Sequence, residues 1–219
     1  MFIDFHHHHG QSQPDVLSIR SFHQREKEFF AQWPLPCSVG LHPWFVSEED
    51  WERDEQWDWF VQAARDPKVE LIGECGLDKL QGPELVDQQF VFEHCLQLAQ
   101  DLEKPVVIHC VRAYEELFAA VQKIRPDVPL IVHGFARKPS ILQAVLQRGF
   151  YLSFGAAILP QNSAAAQSLA ETPLDKLFLE SDDKMLPIAD LYARAAEIKG
   201  VSLGTLEAAI EQNWEKIRA

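Results

Sequence analysis

Asp4, His6 and His8 stand two residues apart in the opening run Met1-Phe2-Ile3-Asp4-Phe5-His6-His7-His8-His9. Alternate side chains of a β-strand project from one face, so as a strand this run aims two imidazoles and a carboxylate the same way. Neutral imidazole is the commonest protein metal ligand, and two of them on one strand end can grip a cation from one side. The run continues a hydrophobic strand from its first residue, unlike a purification tag. His7 and His9 have the opposite parity and are expected to be spacers or solvated side chains. Four further donors each follow a short apolar run: Glu74, His109, His133 and Asp182.

Four neutral imidazoles and two carboxylates are too many for one tetrahedral zinc with an open position, but they suit two cations sharing a bridge. Glu74 is the best bridge, because a carboxylate has two oxygens to divide between ions. The donors are nitrogen and oxygen without thiolate, which admits Zn²⁺, Mg²⁺, Mn²⁺ or Fe²⁺. Two divalent ions against two carboxylates leave a surplus of about two positive charges, which favours an anionic substrate.

These donors need a scaffold that brings distant segments to one rim. After a turn at Gly10-Gln11-Ser12-Gln13-Pro14, strands are expected at Val16–Arg20, Cys37–Leu41, Val69–Gly73, Pro105–Ile108, Pro129–Val132, Phe150–Phe154 and Leu177–Glu180. Between them fall helices at about 24–32, 48–65, 85–102, 114–124, 139–148 and 163–171, and helices at about 187–199 and 202–217 close the chain. Eight strands alternating with helices, several of them continuous apolar runs, are what a closed parallel sheet requires. The expected fold class is therefore α/β, a (β/α)8 TIM barrel forming one domain over residues 1–219. An open doubly wound sheet would need a glycine-rich phosphate loop, and none is found. In a barrel the C-terminal strand ends carry function, and there the six donors fall.

Hydrophobic residues at 47% and charged residues at 24% are the composition of an ordinary globular protein. The absence of a long apolar run or a secretory leader leads to the expectation of a cytoplasmic protein with no membrane contact. Cys37, Cys75, Cys95 and Cys110 have no CxxC spacing, so buried thiols are expected rather than disulfides. Cys75 and Cys110 each follow a donor and should face away from it. A net charge of −13 argues against nonspecific coating of nucleic acid while leaving room for a local cationic pocket. Lys79, Arg137, Lys138 and Lys184 follow strands and could form such a collar. Trp44, Trp51, Trp57 and Trp59 could supply core packing, a partner surface or a base-stacking platform.

Six segments together carry a family resemblance: Ile3-Asp4-Phe5-His6-His7-His8, Gly40-Leu41-His42-Pro43-Trp44, Ile72-Gly73-Glu74-Cys75-Gly76-Leu77-Asp78, Val107-Ile108-His109-Cys110-Val111-Arg112-Ala113, Val132-His133-Gly134-Phe135 and Leu179-Glu180-Ser181-Asp182. As an ordered set the chain resembles the TatD family of metal-dependent hydrolases, within the amidohydrolase-like barrels. The resemblance implies one metal held by His6, His8 and Asp182, a second by His109 and His133, and Glu74 between them. It implies two divalent ions (Zn, Mg or Mn) and a nuclease, often one removing nucleotides from DNA ends in the 3'-5' direction. It also suggests His42 and Arg112 as substrate contacts, Glu180 as a support of the ligands, and Asp78 and Asn213 as motif positions; Lys79 of the basic collar is a further expected substrate contact, and Asp4, on the face of His6 and His8, a further expected support. His7, Lys79, Gly134 and Ser181 depart from the usual pattern without removing a ligand, and the region between the first and third strands is short, as in a compact bacterial subgroup.

The chemistry expected of such a site is in-line attack of an activated water on phosphorus, with Asp182 accepting or relaying its proton and Glu74 joining the cations. The same ligands would serve an amidohydrolase, esterase or deacylase acting on a carbonyl. A noncatalytic metal-binding scaffold is the reading from a different class.

Overall fold

The computed structural model describes residues 1–9, 15–46 and 55–219. The expected turn at 10–14, and residues 48–54 of an expected helix with Trp51, lie outside the described residues. The described strands are β1 (Phe2–His7), β2 (Val16–His23), β3 (Cys37–Gly40), β4 (Val69–Asp78), β5 (Val106–Val111), β6 (Leu130–Val132), β7 (Tyr151–Phe154) and β8 (Leu177–Leu179). They are parallel and follow chain order in one sheet. The helices are α1 (Lys27–Gln32), α2 (Glu55–Ala64), α3 (Leu85–Asp101), α4 (Tyr114–Ile124), α5 (Pro139–Gln147), α6 (Ala164–Glu171), α7 (Ile188–Lys199) and α8 (Leu203–Ile217). This is the (β/α)8 barrel fold. No helix among the described residues is long and apolar enough to cross a membrane.

The contacts divide the chain into two units, Ser21–Leu130 and Met1–Arg20 with Ile131–Ala219. In the Met1–Arg20/Ile131–Ala219 unit, β7 pairs with β6 and β8, and β1 pairs with the start of β2. Just past β8, Asp182 donates its N–H to the carbonyl of His6 and accepts from His8 N, which ties the β8 end to β1 on both sides of His7. The apolar runs Leu130-Ile131-Val132 and Leu177-Phe178-Leu179 are buried throughout, as expected of parallel strands covered on both faces. Phe5 stacks on Phe178 at 4.3 Å, with Trp214 of α8 edge-on to Phe5 at 6.3 Å. Asn213 of the same helix donates to the carbonyls of Leu174 and Leu177, fixing the start of β8. That motif position therefore works in the scaffold, at the strand end opposite the donors. Ser163 and Ser202 cap α6 and α8 through their hydroxyls.

The Ser21–Leu130 unit is built on β3, β4 and β5. Against β4 lies α3, whose Val91, Phe92, Cys95, Leu96 and Ala99 form its buried stripe. Here the strand boundary differs from the expectation: β4 does not end at Gly73 but runs through Glu74 to Asp78, with a register irregularity between Ile72 and Cys75. Glycine is the reason. Gly73 and Gly76 have φ of 132° and 146°, and a Cβ there would lie 2.3 Å from the Val107 carbonyl oxygen and 2.0 Å from that of His109. Only glycine lets β4 bend at this point and stay paired to β5. All four cysteines are buried free thiols. Cys75 meets Cys95 of α3, and the hydrogen bond with that second thiol, together with burial, raises its pKa.

Candidate metal centre

In the Ser21–Leu130 unit the side chains of His42, Glu74 and His109 converge, with one donor atom from each within 4.8 Å of the others. Ser21 of β2 donates its hydroxyl to the carbonyl of Gly73 and accepts from Glu74 N, which sets the β4 backbone at the carboxylate. Glu74 Oε1 lies 2.5 Å from His109 Nδ1 and 3.2 Å from His42 Nε2, and all three residues are buried.

The other ring nitrogen of His109, Nε2, faces Asp78 Oδ2 at 3.1 Å. A metal-ligating histidine characteristically gives its second N–H to a carboxylate, which fixes tautomer and orientation. Asp78 is placed for that function, whereas the sequence left its part undefined. Its own carboxylate is held in turn: Oδ2 accepts from Trp44 Nε1 at 2.7 Å, and Oδ1 accepts from the N–H groups of Leu80 and Gln81. Burial works to raise the Asp78 pKa, but the donors from Trp44, Leu80 and His109 outweigh it and hold the carboxyl below its ordinary value. Gln88 of α3 accepts from Asp78 N and donates to the carbonyls of Asp78, Gln81 and Pro83, knotting the loop after β4.

His42 is a different kind of participant. Its Nδ1 accepts the N–H of Trp44, so in the neutral ring the proton sits on Nε2 and is donated to Glu74. A protonated nitrogen cannot ligate a metal. His42 is therefore a hydrogen-bond donor in this arrangement, despite lying among the ligands. Its backbone is fixed by Gln24, which accepts from His42 N and donates to its carbonyl.

The Met1–Arg20/Ile131–Ala219 unit gathers His6, His133 and Asp182, whose donor atoms also lie within 4.8 Å of one another. The His6 ring stands 4.5 Å from that of His133 and 4.9 Å from that of His8, and His8 Nε2 is 3.8 Å from Asp182 Oδ1. Asp182 has φ of 53°, a left-handed conformation uncommon for a non-glycine residue. The two backbone bonds to β1 hold it there and turn its half-exposed carboxylate toward the histidines. Arg112 and Gly134, directly after β5 and after His133, share this conformation with φ of 55° and 58°.

Behind His133 sits Glu180, fully buried, with Oε1 3.5 Å from His133 Nδ1 and accepting from Gly134 N at 2.7 Å. Burial pushes the Glu180 pKa up, but His133 more than offsets this and keeps it low. Asp4 accepts from Ser181 N at 2.8 Å and Ser181 Oγ at 2.6 Å. It thus braces the backbone between Glu180 and Asp182. Burial, opposed by those two hydrogen bonds, pushes its pKa to about 7.

His7 is buried rather than solvated, because its side of β1 faces the surrounding layer, and burial depresses its pKa to about 3. His9 caps the strand end, donating its N–H to His7 Nδ1, with its ring against the Lys184 carbonyl. Among the expected collar residues, Lys138 is exposed, Arg137 is half-buried, Lys79 is engaged by Glu116 at 2.6 Å and Lys184 by Asp183 at 3.1 Å; Arg112, an expected substrate contact, is exposed.

The donor atoms of His6, His133 and Asp182, within 4.8 Å of one another, come close to the ~4 Å that separates opposite ligands placed 2.0–2.1 Å from one octahedral cation. Imidazole and carboxylate without thiolate, backed by buried carboxylates, fit divalent metal chemistry. Such donors at the C-terminal ends of parallel barrel strands define a class, the metal-dependent hydrolase barrels.

Within that class the chain belongs to the TatD-related DNase family, whose model matches residues 15–218. It is 36% identical over 154 residues to the human 3'-5' RNA nuclease TATDN2, covering 66% of this chain and 19% of that protein. It is 31% identical over 159 residues to the metal-dependent hydrolase YjjV of Escherichia coli K12, covering 71% of this chain and 60% of YjjV. Against the 3'-5' ssDNA/RNA exonuclease TatD of Citrobacter koseri it is 28% identical over 165 residues, covering 73% of this chain and 62% of that protein. The chain thus spans about a fifth to three fifths of these relatives in aligned sequence. The crystal structure of YjjV superposes with a TM-score of 0.81 over 99% of this chain and 97% of that one, at 23% identity, which establishes the shared fold.

Proposed function

We propose that this chain is a divalent-metal-dependent phosphodiesterase that removes nucleotides from nucleic-acid ends, with single-stranded DNA as its first-choice substrate. The observation that carries this reading is the pairing of ligand and backing carboxylate in each unit, Asp78 behind His109 and Glu180 behind His133. Family membership and the nuclease names of the human and Citrobacter relatives support it further. His6, His8, His133 and Asp182 are the donors that one unit would offer to a cation, and Glu74 and His109 those that the other would offer. When bound, such cations make water acidic and offset charge on phosphoryl oxygens.

The remaining work falls to the chain's own groups. Asp182, the most exposed carboxylate of the set, takes the proton of the attacking water. The exposed fork of Arg112 holds nonbridging phosphate oxygens, and the His42 Nε2–H joins it only by giving up Glu74. Lys79 reaches the substrate only by giving up Glu116.

The test is metal-stripped protein incubated with end-labelled single-stranded DNA, a base-free phosphodiester reporter, and ester and amide reporters, with Mg²⁺, Mn²⁺ or Zn²⁺ restored separately. Stepwise release of nucleotides under at least one metal is the expected result. Cleavage confined to the carbonyl reporters would replace this reading with an amidohydrolase or deacylase, and no turnover with any metal would replace it with a metal-binding scaffold.

A further inference from the structure

The 3-10 turn Pro43–Phe45 directly after β3 carries Trp44, which is 37% exposed, with its indole beside the buried donors. Though partly exposed, the residue is pinned at three points. Its Nε1 donates to Asp78 Oδ2, its N–H is taken by His42 Nδ1, and its Cα lies where a Cβ on Gly82 would approach to 3.0 Å. The ring stands 5.8 Å from that of His109 and 4.8 Å from that of His42, both nearly perpendicular to it. Next along the turn is Phe45, 6.4 Å from Trp44, and the exposed guanidinium of Arg25 lies over the Phe45 ring at 4.0 Å. An aromatic row thus leads from a candidate metal ligand to a cation.

We infer that this row is a single-strand platform: the base of the nucleotide next to the cleaved bond stacks on Trp44, and a phosphate of the same strand pairs with Arg25. The inference rests on the phosphodiesterase reading and names the residue that recognises the nucleotide. Aromatic side chains bind bases through faces that every base has, so the platform tolerates sequence but requires an unpaired base. Because the indole is already immobilised, stacking costs little further side-chain entropy. The shared oxygen, Asp78 Oδ2, connects the platform to His109, so a correctly seated base sits at a fixed distance from the chemistry.

The experiment compares the wild type, Trp44→Leu, Trp44→Phe and Arg25→Gln on a single-stranded oligonucleotide and on the same strand lacking the base beside the cleaved bond. Both KM for cleavage and affinity for hydrolysis-resistant phosphorothioate versions are read. In the wild type, removing the base should weaken both by about 5- to 100-fold. In Trp44→Leu that penalty should shrink to within about twofold, and Trp44→Phe should restore most of it. Arg25→Gln should lower the salt dependence of binding by about one phosphate contact and leave the base penalty intact. A Trp44→Leu variant that still discriminates fully against the abasic strand would overturn the inference and leave Trp44 as a support for Asp78. If the wild type hydrolyses only the carbonyl reporters but binds the phosphorothioate strand with this Trp44-dependent penalty, the phosphodiesterase reading fails and the platform stands. Hydrolysis of the base-free phosphodiester with no penalty for the missing base would do the reverse.

Discussion

Each unit of this molecule carries a histidine with a buried carboxylate behind it, yet the two pairs are built differently. In Ser21–Leu130, Asp78 meets His109 at 3.1 Å and has its other acceptor sites filled by Trp44, Leu80 and Gln81. In the Met1–Arg20/Ile131–Ala219 unit, Glu180 is more deeply buried but stands 3.5 Å from His133, long for a hydrogen bond. One pair is fixed by a network in which two side chains, Trp44 and His109, share Asp78 Oδ2 while the backbone N–H groups of Leu80 and Gln81 fill Oδ1. The other is positioned by backbone, through Gly134 N on Glu180 and the double tie of Asp182 to β1. A network of side chains fails when one member is removed, because its buried partners lose hydrogen bonds together. Backbone anchoring is less exposed to single substitutions.

The largest effect expected is that of Glu74→Ala, which removes the carboxylate that both His42 and His109 contact. Metal-dependent turnover should fall by about a thousandfold or more, with far-ultraviolet circular dichroism unchanged. Undiminished activity would remove Glu74 from the site.

The comparison itself is sharpened by Asp78→Asn against Glu180→Gln. Losing the carboxylate behind a ligating histidine typically costs about 10- to 100-fold in metal affinity, and the network around it should put Asp78→Asn near the upper end. Glu180→Gln should cost less, since the Gly134 N–H can still be accepted. Titration calorimetry with Zn²⁺ or Mn²⁺ reads both, and the opposite ranking would break the distinction drawn between the units.

A smaller effect concerns Asp4. Its folded pKa of about 7 lies above its ordinary value of 3.8. The folded state therefore binds the proton more tightly, so this contribution to stability is full below about pH 4 and is lost as pH rises through about 7. Asp4→Asn should remove that fall, worth at most about 1.4 kcal/mol per pH unit, from urea-unfolding curves of metal-free protein. A wild-type stability that rises across the same range would contradict the placement of Asp4.

Much of this was legible from the chain because parallel strands announce themselves as apolar runs and helices by their periodicity. The span of α4 was met residue for residue, and Ser163 and Ser202 cap the helices they were expected to begin. The end of β4 was misread because glycines at 73 and 76 look like a strand terminus, whereas here they let two backbones touch. Asp78, Gln88 and the donor state of His42 were out of reach for another reason. Their parts depend on which atom of a neighbour they meet, and residue spacing does not record that. The one available signal was the recurrence of Asp four residues after Glu74, on the same face of an extended strand.

The account turns on each unit contributing donors for a cation. Equilibrium dialysis of metal-stripped protein against Zn²⁺ or Mn²⁺, with bound ions counted by mass spectrometry, tests this directly. It predicts two ions per chain in the wild type and one in each of His109→Ala and Asp182→Ala. A wild-type stoichiometry of one or none, or two ions retained by either variant, would contradict it.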